Sequence, residues 1–217
     1  MVINKLLTDV NINKNASRKI EYIVIHYVGA LGGAKANCEY YASGYVGASA
    51  HYFVGHEGEV WQSVEDKNTA WHCGTKYDYK HPKCRNANSI GIEMCCRKSK
   101  EGVWYFEDTT VKTTVELVKE LMKKYNIPEE NIIRHYDVTG KNCPAPYVEN
   151  NTKHKWEEFK KMIVEKELDN KPDAYAETAI KWALAAGILK GTTEGDYKLH
   201  SSVTRQDMLV FLYRALK

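Results

Sequence analysis

No stretch of this 217-residue chain is apolar for long enough to cross a bilayer, which takes about 20 consecutive residues. The first ten residues, Met1-Val-Ile-Asn-Lys-Leu-Leu-Thr-Asp-Val10, lack the continuous apolar core of a secretion signal, so cytoplasmic synthesis is the expectation. No RNA-binding, finger-type or basic-helix signature is present, which removes the usual nucleic-acid readers. Charge of one sign is also scarce: 31 Lys and Arg against 28 Asp and Glu leave a net +3. That modest excess excludes little, but any basic surface would favour an acidic polymer. The length allows one full α/β domain and a small appendage.

Six cysteines are present, at 38, 73, 84, 95, 96 and 143. A protein kept in the cytosol holds its thiols reduced, so the sequence assigns no disulfide, and pairing among Cys38, Cys73, Cys84, Cys95 and Cys96 stays open. Cys95 and Cys96, neighbours in a strand, must point to opposite faces, so at most one is expected to face a core. His72, Cys73, His81 and Cys84 lie close enough in sequence to form a metal clip.

The most informative stretch is Arg134-His-Tyr-Asp-Val-Thr-Gly-Lys-Asn-Cys-Pro144. It sets a His eight residues before a Cys, a Lys two residues before that Cys, and a Pro after it. Imidazole nitrogen and thiolate sulfur are ligands Zn²⁺ prefers, and a catalytic zinc takes three of them plus one open position. The third ligand has a candidate upstream, because Tyr22-Ile-Val-Ile-His-Tyr-Val28 reads as a buried strand carrying His26. Read singly, each piece has an ordinary alternative. A His in an apolar strand is more often a satisfied core residue, and one His–Cys pair decides nothing.

Five segments, in order, carry a resemblance that covers about Ile20 to Lys166. They are Ile23-Val-Ile-His-Tyr27; Ser49-Ala-His-Tyr-Phe-Val54 with Glu57-Gly-Glu-Val60; Ala70-Trp-His-Cys-Gly74; Asn88-Ser-Ile-Gly-Ile-Glu-Met94; and Arg134 to Pro144. Together they resemble the zinc-dependent N-acetylmuramoyl-L-alanine amidases (type 2) of phage endolysins and bacterial autolysins, relatives of the peptidoglycan recognition proteins. The resemblance implies an α/β fold, a mixed central β-sheet flanked by helices. It implies that His26, His135 and Cys143 hold Zn²⁺, and that Tyr27, His51, Trp71 and His72 lie on the substrate side, which would occupy part of the metal clip. The implied partner is peptidoglycan, cut at the amide between the lactyl group of muramic acid and L-alanine. Some members place a Tyr just before the His of the second strand, where this chain has Ala50. Others carry a Glu in the Ile-Gly-Ile-Glu strand, which Glu93 matches, and Lys141 matches the family's cationic position.

These residue types also suit the chemistry directly. Amide hydrolysis needs an activated water, a stabilised oxyanion and a protonated leaving amine. Glu93 is the only carboxylate in an otherwise apolar strand, where burial raises its pKa into the range useful for a base and then an acid. Its alternative is an ion pair, with Arg97 as the nearest partner. Lys141 would set positive charge beside the oxyanion; its alternative is a solvated loop lysine. A different class of reading, a non-catalytic peptidoglycan-recognition protein on the same fold, is disfavoured because such relatives characteristically lose the Cys ligand. The expected protein is a phage or prophage endolysin, made in the cytoplasm of a Gram-positive, clostridial-type host and acting at its wall.

Residues 1–19 are polar, with scattered Val and Leu, and are expected to wrap the surface. Strands are predicted at 21–28, 50–56, 59–64, 89–96 and 131–134, and a short helix at 36–44. A strong amphipathic helix is predicted at Thr109–Tyr125, with Asp108 as its cap, and another at 152–168. Segment 73–88, rich in Tyr, His and Lys, either shapes a groove or is plain surface loop. Composition shifts at Leu168-Asp-Asn-Lys-Pro-Asp173, giving expected domains 1–168 and 169–217. In the second, a short helix stops at Gly187, a turn-rich stretch follows, and Thr204 with Asp207 reads as a capping box. Ala179-Ile-Lys-Trp-Ala183, Gly187-Ile-Leu-Lys-Gly191 and Val203-Thr-Arg-Gln-Asp207 resemble one S-layer homology repeat. That family binds secondary cell-wall polysaccharide, usually through three repeats, and Arg205 matches its signature arginine. A lone repeat buries little core, so it either docks or self-associates into a homo-oligomer. The plainer alternative is a structural extension.

Overall fold

The protein is described here by a computed structural model covering residues 1–14, 17–74, 79–165, 170–192 and 195–216. It separates into two compact units, Met1–Val164 and Glu165–Lys217. The first contains β1 (Ile3–Lys5), β2 (Ile12–Asn13), β3 (Tyr22–Tyr27), α1 (Ala34–Ala42), β4 (Tyr52–Val54), β5 (Val60–Gln62) and β6 (Thr69–Ala70). It continues with β7 (Ser89–Met94), β8 (Arg97–Lys98), β9 (Trp104–Tyr105), α2 (Asp108–Tyr125), β10 (Ile132–Arg134), α3 (His135–Thr139), α4 (Ala145–Glu149) and α5 (Trp156–Val164).

Six strands form a mixed central sheet in the order β1-β5-β4-β7-β3-β10, in which only β4 and β5 pair antiparallel. Its neighbouring interior strands β3 and β7 are covered on both faces, which is why β3 reads as a nearly continuous apolar run. One face, with Ile23, Ile25, Ile90, Ile92 and Met94, packs under α2 and α5. The other is smaller, and its Phe53, Ala50 and Cys95 pack with Ala34 and Cys38 of α1. Side chains alternate along β7, so Ile90, Ile92 and Met94 enter the large core while Ser89, Gly91 and Glu93 face the other way.

The sheet's double cover corrects the expectation for Cys95 and Cys96. Both are fully buried, Cys95 in the smaller cluster and Cys96 in the larger. The first nineteen residues also depart from their predicted role. β1 extends the main sheet as a parallel partner of β5, and β2 pairs antiparallel with β6. Strands of three and two residues leave too short an alternation to read. α2 runs where its apolar stripe predicts, with Val111, Val115, Val118 and Leu121 buried, and stops at left-handed Asn126. Its cap position is Glu107, with no side-chain cap bond, while Asp108 binds Lys153 and His154. α5 starts at Trp156, four residues later than predicted; Leu168 lies outside the described residues.

The second unit holds α6 (Glu177–Ala185) and α7 (Arg205–Ala215). α6 ends near Gly187 at φ +67°, and the capping box at Thr204 and Asp207 forms as expected. Asn170 fastens the intervening turn, donating to the Gly195 carbonyl and accepting from the Tyr197 N–H. Among the described residues no helix is long and apolar enough to cross a membrane.

Candidate active site

β3, β7 and β10 deliver the site. His26 is the fifth residue of β3 and the Cα partner of Glu93 on β7, so the two side chains rise from one face of the sheet. His135 is the first residue of α3, directly after β10, rather than part of the strand end or loop expected from sequence. α3 then ends at Gly140, whose φ of +82° reverses the chain and returns Lys141 and Cys143 to the same place. The Cys143 carbonyl accepts the Tyr136 N–H at 2.8 Å, which fixes that return.

One ligand atom each from His26, His135 and Cys143 lies within 4.8 Å of the others, and all three residues are buried. Among the described residues this is the one such cluster of metal-binding donors. The other grouping considered, His72, Cys73, His81 and Cys84, does not make one. There, the His81 Nδ1 accepts the Cys84 N–H at 2.9 Å and is not free for a metal.

A chain of hydrogen bonds settles which nitrogen of His26 carries the proton. The Ser89 hydroxyl donates to the Arg85 carbonyl at 2.6 Å, so it accepts from His72 Nε2 at 3.1 Å. His72 Nδ1 is then left as an acceptor for the His26 Nε2–H at 3.0 Å. His26 Nδ1 therefore keeps its lone pair, and it faces the Cys143 Sγ at 3.7 Å. β7 makes room for this chain, because a Cβ at Gly91 would overlap the His72 ring. The ring beneath obeys the same logic: His51 Nδ1 accepts the Gly91 N–H, so its Nε2 donates to the Asn68 carbonyl.

Burial dominates the electrostatics. It holds His26 far below the usual imidazole range and His135 at about 3, with Lys141 pushing both further down. Both rings are thus neutral at neutral pH. Burial lifts the Cys143 thiol to about 12, with Glu93 adding to the rise. Glu93 is carried from 4.5 to about 8 by burial, against the pull of Lys141. Two buried atoms here, Glu93 Oε2 and His135 Nδ1, have no hydrogen-bond partner among the described residues. Nitrogen and sulfur donors of this kind, neutral and converging, fit a zinc ion. The alternative partner for Glu93 is ruled out, since Arg97 pairs with Glu107.

A cavity of about 210 Å³ opens over Glu93, His26, His135 and Cys143, and continues into a groove of about 720 Å³. Trp71, His72, His135 and Lys141 line both. Tyr27 borders the cavity and packs edge-on against Trp104. Trp71 is held by a bond from its Nε1 to Asn13 and by the edge of Tyr45, which together give the groove an aromatic wall. His51 is not brought to the groove; it is fully buried below His72. Segment 73–88 does border the groove, through Gly74 and Asn86. Sequence reasoning missed Ser89, Asn86 and Arg18. Arg18 sits beneath the site with hydrogen bonds to the Asn68, Asn86 and Ser89 carbonyls. An arginine in a polar leader carries no sequence signal of burial.

The family profile described as N-acetylmuramoyl-L-alanine amidase matches residues 16–146. This chain belongs to that family. It is 35% identical over 139 residues to the amidase CwlL of Bacillus licheniformis, covering 59% of this chain and 37% of the relative. It is 34% identical over 157 residues to the amidase BlyA of Bacillus subtilis, covering 66% and 41%. The chain thus spans about two-fifths of the length of these curated relatives. The solved structure of PlyL superposes with a TM-score of 0.64 at 26% identity, covering 77% of this chain and all of that one. The match to the amidase fold places the family's sheet and helices in the first unit.

Proposed function

We propose that the first unit is a zinc-dependent N-acetylmuramoyl-L-alanine amidase that hydrolyses peptidoglycan between muramic acid and the L-alanine of the stem peptide. The observation that carries this is the convergence of His26, His135 and Cys143 beside Glu93, whose Oε2 is buried. His26, His135 and Cys143 would hold the metal, which supplies Lewis acidity and lowers the pKa of a water from ~15.7 to ~7. Glu93 sits where it can take a proton from the attacking water and pass it to the leaving amine. Its pKa of about 8 lets it do both near neutrality. Lys141, close enough to depress the pKa of Glu93, His26 and His135, sets positive charge where the oxyanion develops. Tyr27, Trp71 and His72 border the space a glycopeptide would fill, and Trp71 offers its face to a sugar. His72 also orients His26, and His51 supports Gly91 from below.

The second unit is read as an S-layer-homology-like module that binds secondary cell-wall polysaccharide, with Arg205 exposed at the start of α7. Trp182, Leu209, Leu212 and Leu216 are exposed apolar residues of this unit, which supports self-association into a homo-oligomer. An enzyme and a binder in one chain suit a phage or prophage endolysin made in a Gram-positive, clostridial-type host and acting at its wall.

Digestion of purified cell walls tests the reaction. New N-terminal alanine should appear without new reducing sugar, chelator should stop it, and zinc should restore it. Reducing ends appearing at the rate of lysis would instead mark a glycosidase. Such an enzyme needs two carboxylates flanking a sugar bond, and Glu93, in the cavity, is the one carboxylate among the described residues that line either the cavity or the groove.

A further inference from the structure

Two cysteines that take no part in the metal cluster lie together beside the groove. Cys73 follows β6, and Cys84 precedes the turn Asn86–Asn88 that leads into β7. Both are fully buried in one small cluster with Tyr22, Val24, Ile133 and Val138. The Asn86 side chain, two residues after Cys84, ties this end of the chain to the other, accepting the Cys73 N–H at 2.7 Å and the His72 N–H at 3.2 Å. The Ser89 hydroxyl lies 3.8 Å from the Cys73 sulfur. The two thiols are close enough for each to shift the other's proton affinity, Cys73 downward and Cys84 upward. We propose that Cys73 and Cys84 are a disulfide-forming pair, and that the cross-link fastens the wall of the groove.

The chemistry balances with a small-molecule disulfide as oxidant, which reaches the fully buried Cys73 on local opening of the fold. The Cys73 thiolate attacks one sulfur of that disulfide, forming a mixed disulfide and releasing one thiolate, which takes up a proton. Cys84 then loses its proton to solvent and attacks the Cys73 sulfur, releasing the second small thiol. Two protein thiols are oxidised to one disulfide, and one small disulfide is reduced to two thiols. The local environment favours this order of events. The neighbouring Cys84 thiol and His72 pull the Cys73 thiol down, while Cys84 is pushed up by Cys73 and by burial. Converting Cys73 to a mixed disulfide removes the negative charge that holds the Cys84 proton, so the first step prepares the second.

The cross-link would tie the ends of segment 74–83. Gly74 of that segment lines the groove, and the Lys80 and His81 N–H groups bind the Val138 carbonyl of α3 at 2.9 and 3.2 Å. The metal cluster keeps its own thiol, because Cys143 lies in neither step. The remaining cysteines serve as controls. Cys38 and Cys95 share a different cluster, and Cys96 lies on the opposite face of the sheet.

The test uses the full chain as purified. It is treated with oxidised glutathione under native conditions, free thiols are blocked, and the digest is mapped by mass spectrometry. A peptide pair joining Cys73 to Cys84 is expected, with Cys38, Cys95 and Cys96 blocked as free thiols. Oxidation should raise Tm by several degrees, as closing a loop of this length does. The shift should vanish in Cys73→Ser and Cys84→Ser and persist in Cys38→Ser. A wild-type map with no Cys73–Cys84 peptide, or with a lasting glutathione adduct on Cys73, would overturn the proposal. So would a Tm shift that survives in Cys73→Ser.

Discussion

His26 and Glu93 are Cα partners across the parallel pairing of β3 and β7, so a buried imidazole and a half-buried carboxylate stand side by side on one face of the sheet. Two rigid central strands hold them, and sheet pairing sets their separation more firmly than any loop could. His135 and Cys143 join them from α3 and the turn after it.

Zinc should bind at one equivalent and be lost from His26→Ala, His135→Ala and Cys143→Ala. Both rings are already neutral, whereas the Cys143 thiol at about 12 must give up its proton on binding. Affinity should therefore climb with pH, about tenfold per unit for one proton released. Competition with a chelator between pH 6 and 8 measures this; a flat profile would exclude the thiolate as ligand.

Glu93→Gln should keep zinc and fold while losing at least about a hundredfold in rate. The same variant has a stability signature. Burial raises the Glu93 pKa from 4.5 to about 8, so the folded chain holds a proton there that the unfolded chain releases. This contribution is whole below about 4.5 and is lost as pH rises through about 8, at up to about 1.4 kcal/mol per unit. In metal-free protein, Glu93→Gln should thus melt progressively higher than wild type as pH rises from 5 to 9. Parallel melting curves for the two would contradict a buried, proton-holding carboxyl.

Lys141→Ala should retain zinc and lose about a hundredfold or more in kcat, with KM changed less. Equal loss of metal would move Lys141 from the oxyanion to the support of the cluster.

His72→Ala should weaken zinc binding about tenfold to a hundredfold, because the hydrogen bond that sets the His26 tautomer is gone. Gly91→Ala should reproduce part of this by displacing the ring. Unchanged zinc affinity in both, with KM alone raised, would return His72 to a purely substrate-binding role.

Removing residues 171–217 should leave a folded, zinc-binding amidase that cleaves soluble muropeptides. It should bind intact walls more weakly and sediment as a smaller species, since a lone module gains affinity from avidity. Arg205→Ala should lower wall binding without altering turnover. Equal wall affinity with and without the segment would remove its binding role.

The central strands and α2 were legible because their patterns are long: β3 is a run of apolar residues, β7 alternates, and α2 repeats over eighteen positions. The chemical residues were legible because His, Glu, Lys and Cys are rare in such surroundings. What the sequence hid was support. β1 and β2 are too short to show a period, and Ser89, Asn86 and Arg18 act through hydrogen bonds to atoms far away in sequence. His51 and His72 look alike in a sequence, yet one is sealed beneath the site while the other borders the groove.

The sheet's two covers differ in what they are for. The broad apolar layer under α2 and α5, with Tyr147, Trp156 and Phe159, packs on the face of the sheet opposite to the His26 and Glu93 side chains. Truncating Phe159 would cost about 3–5 kcal/mol of folding energy while leaving the geometry above β3 and β7 in place. Heat tolerance and turnover are therefore separable traits in this chain. An engineer seeking a longer-lived protein could repack the helical side and leave the opposite side untouched.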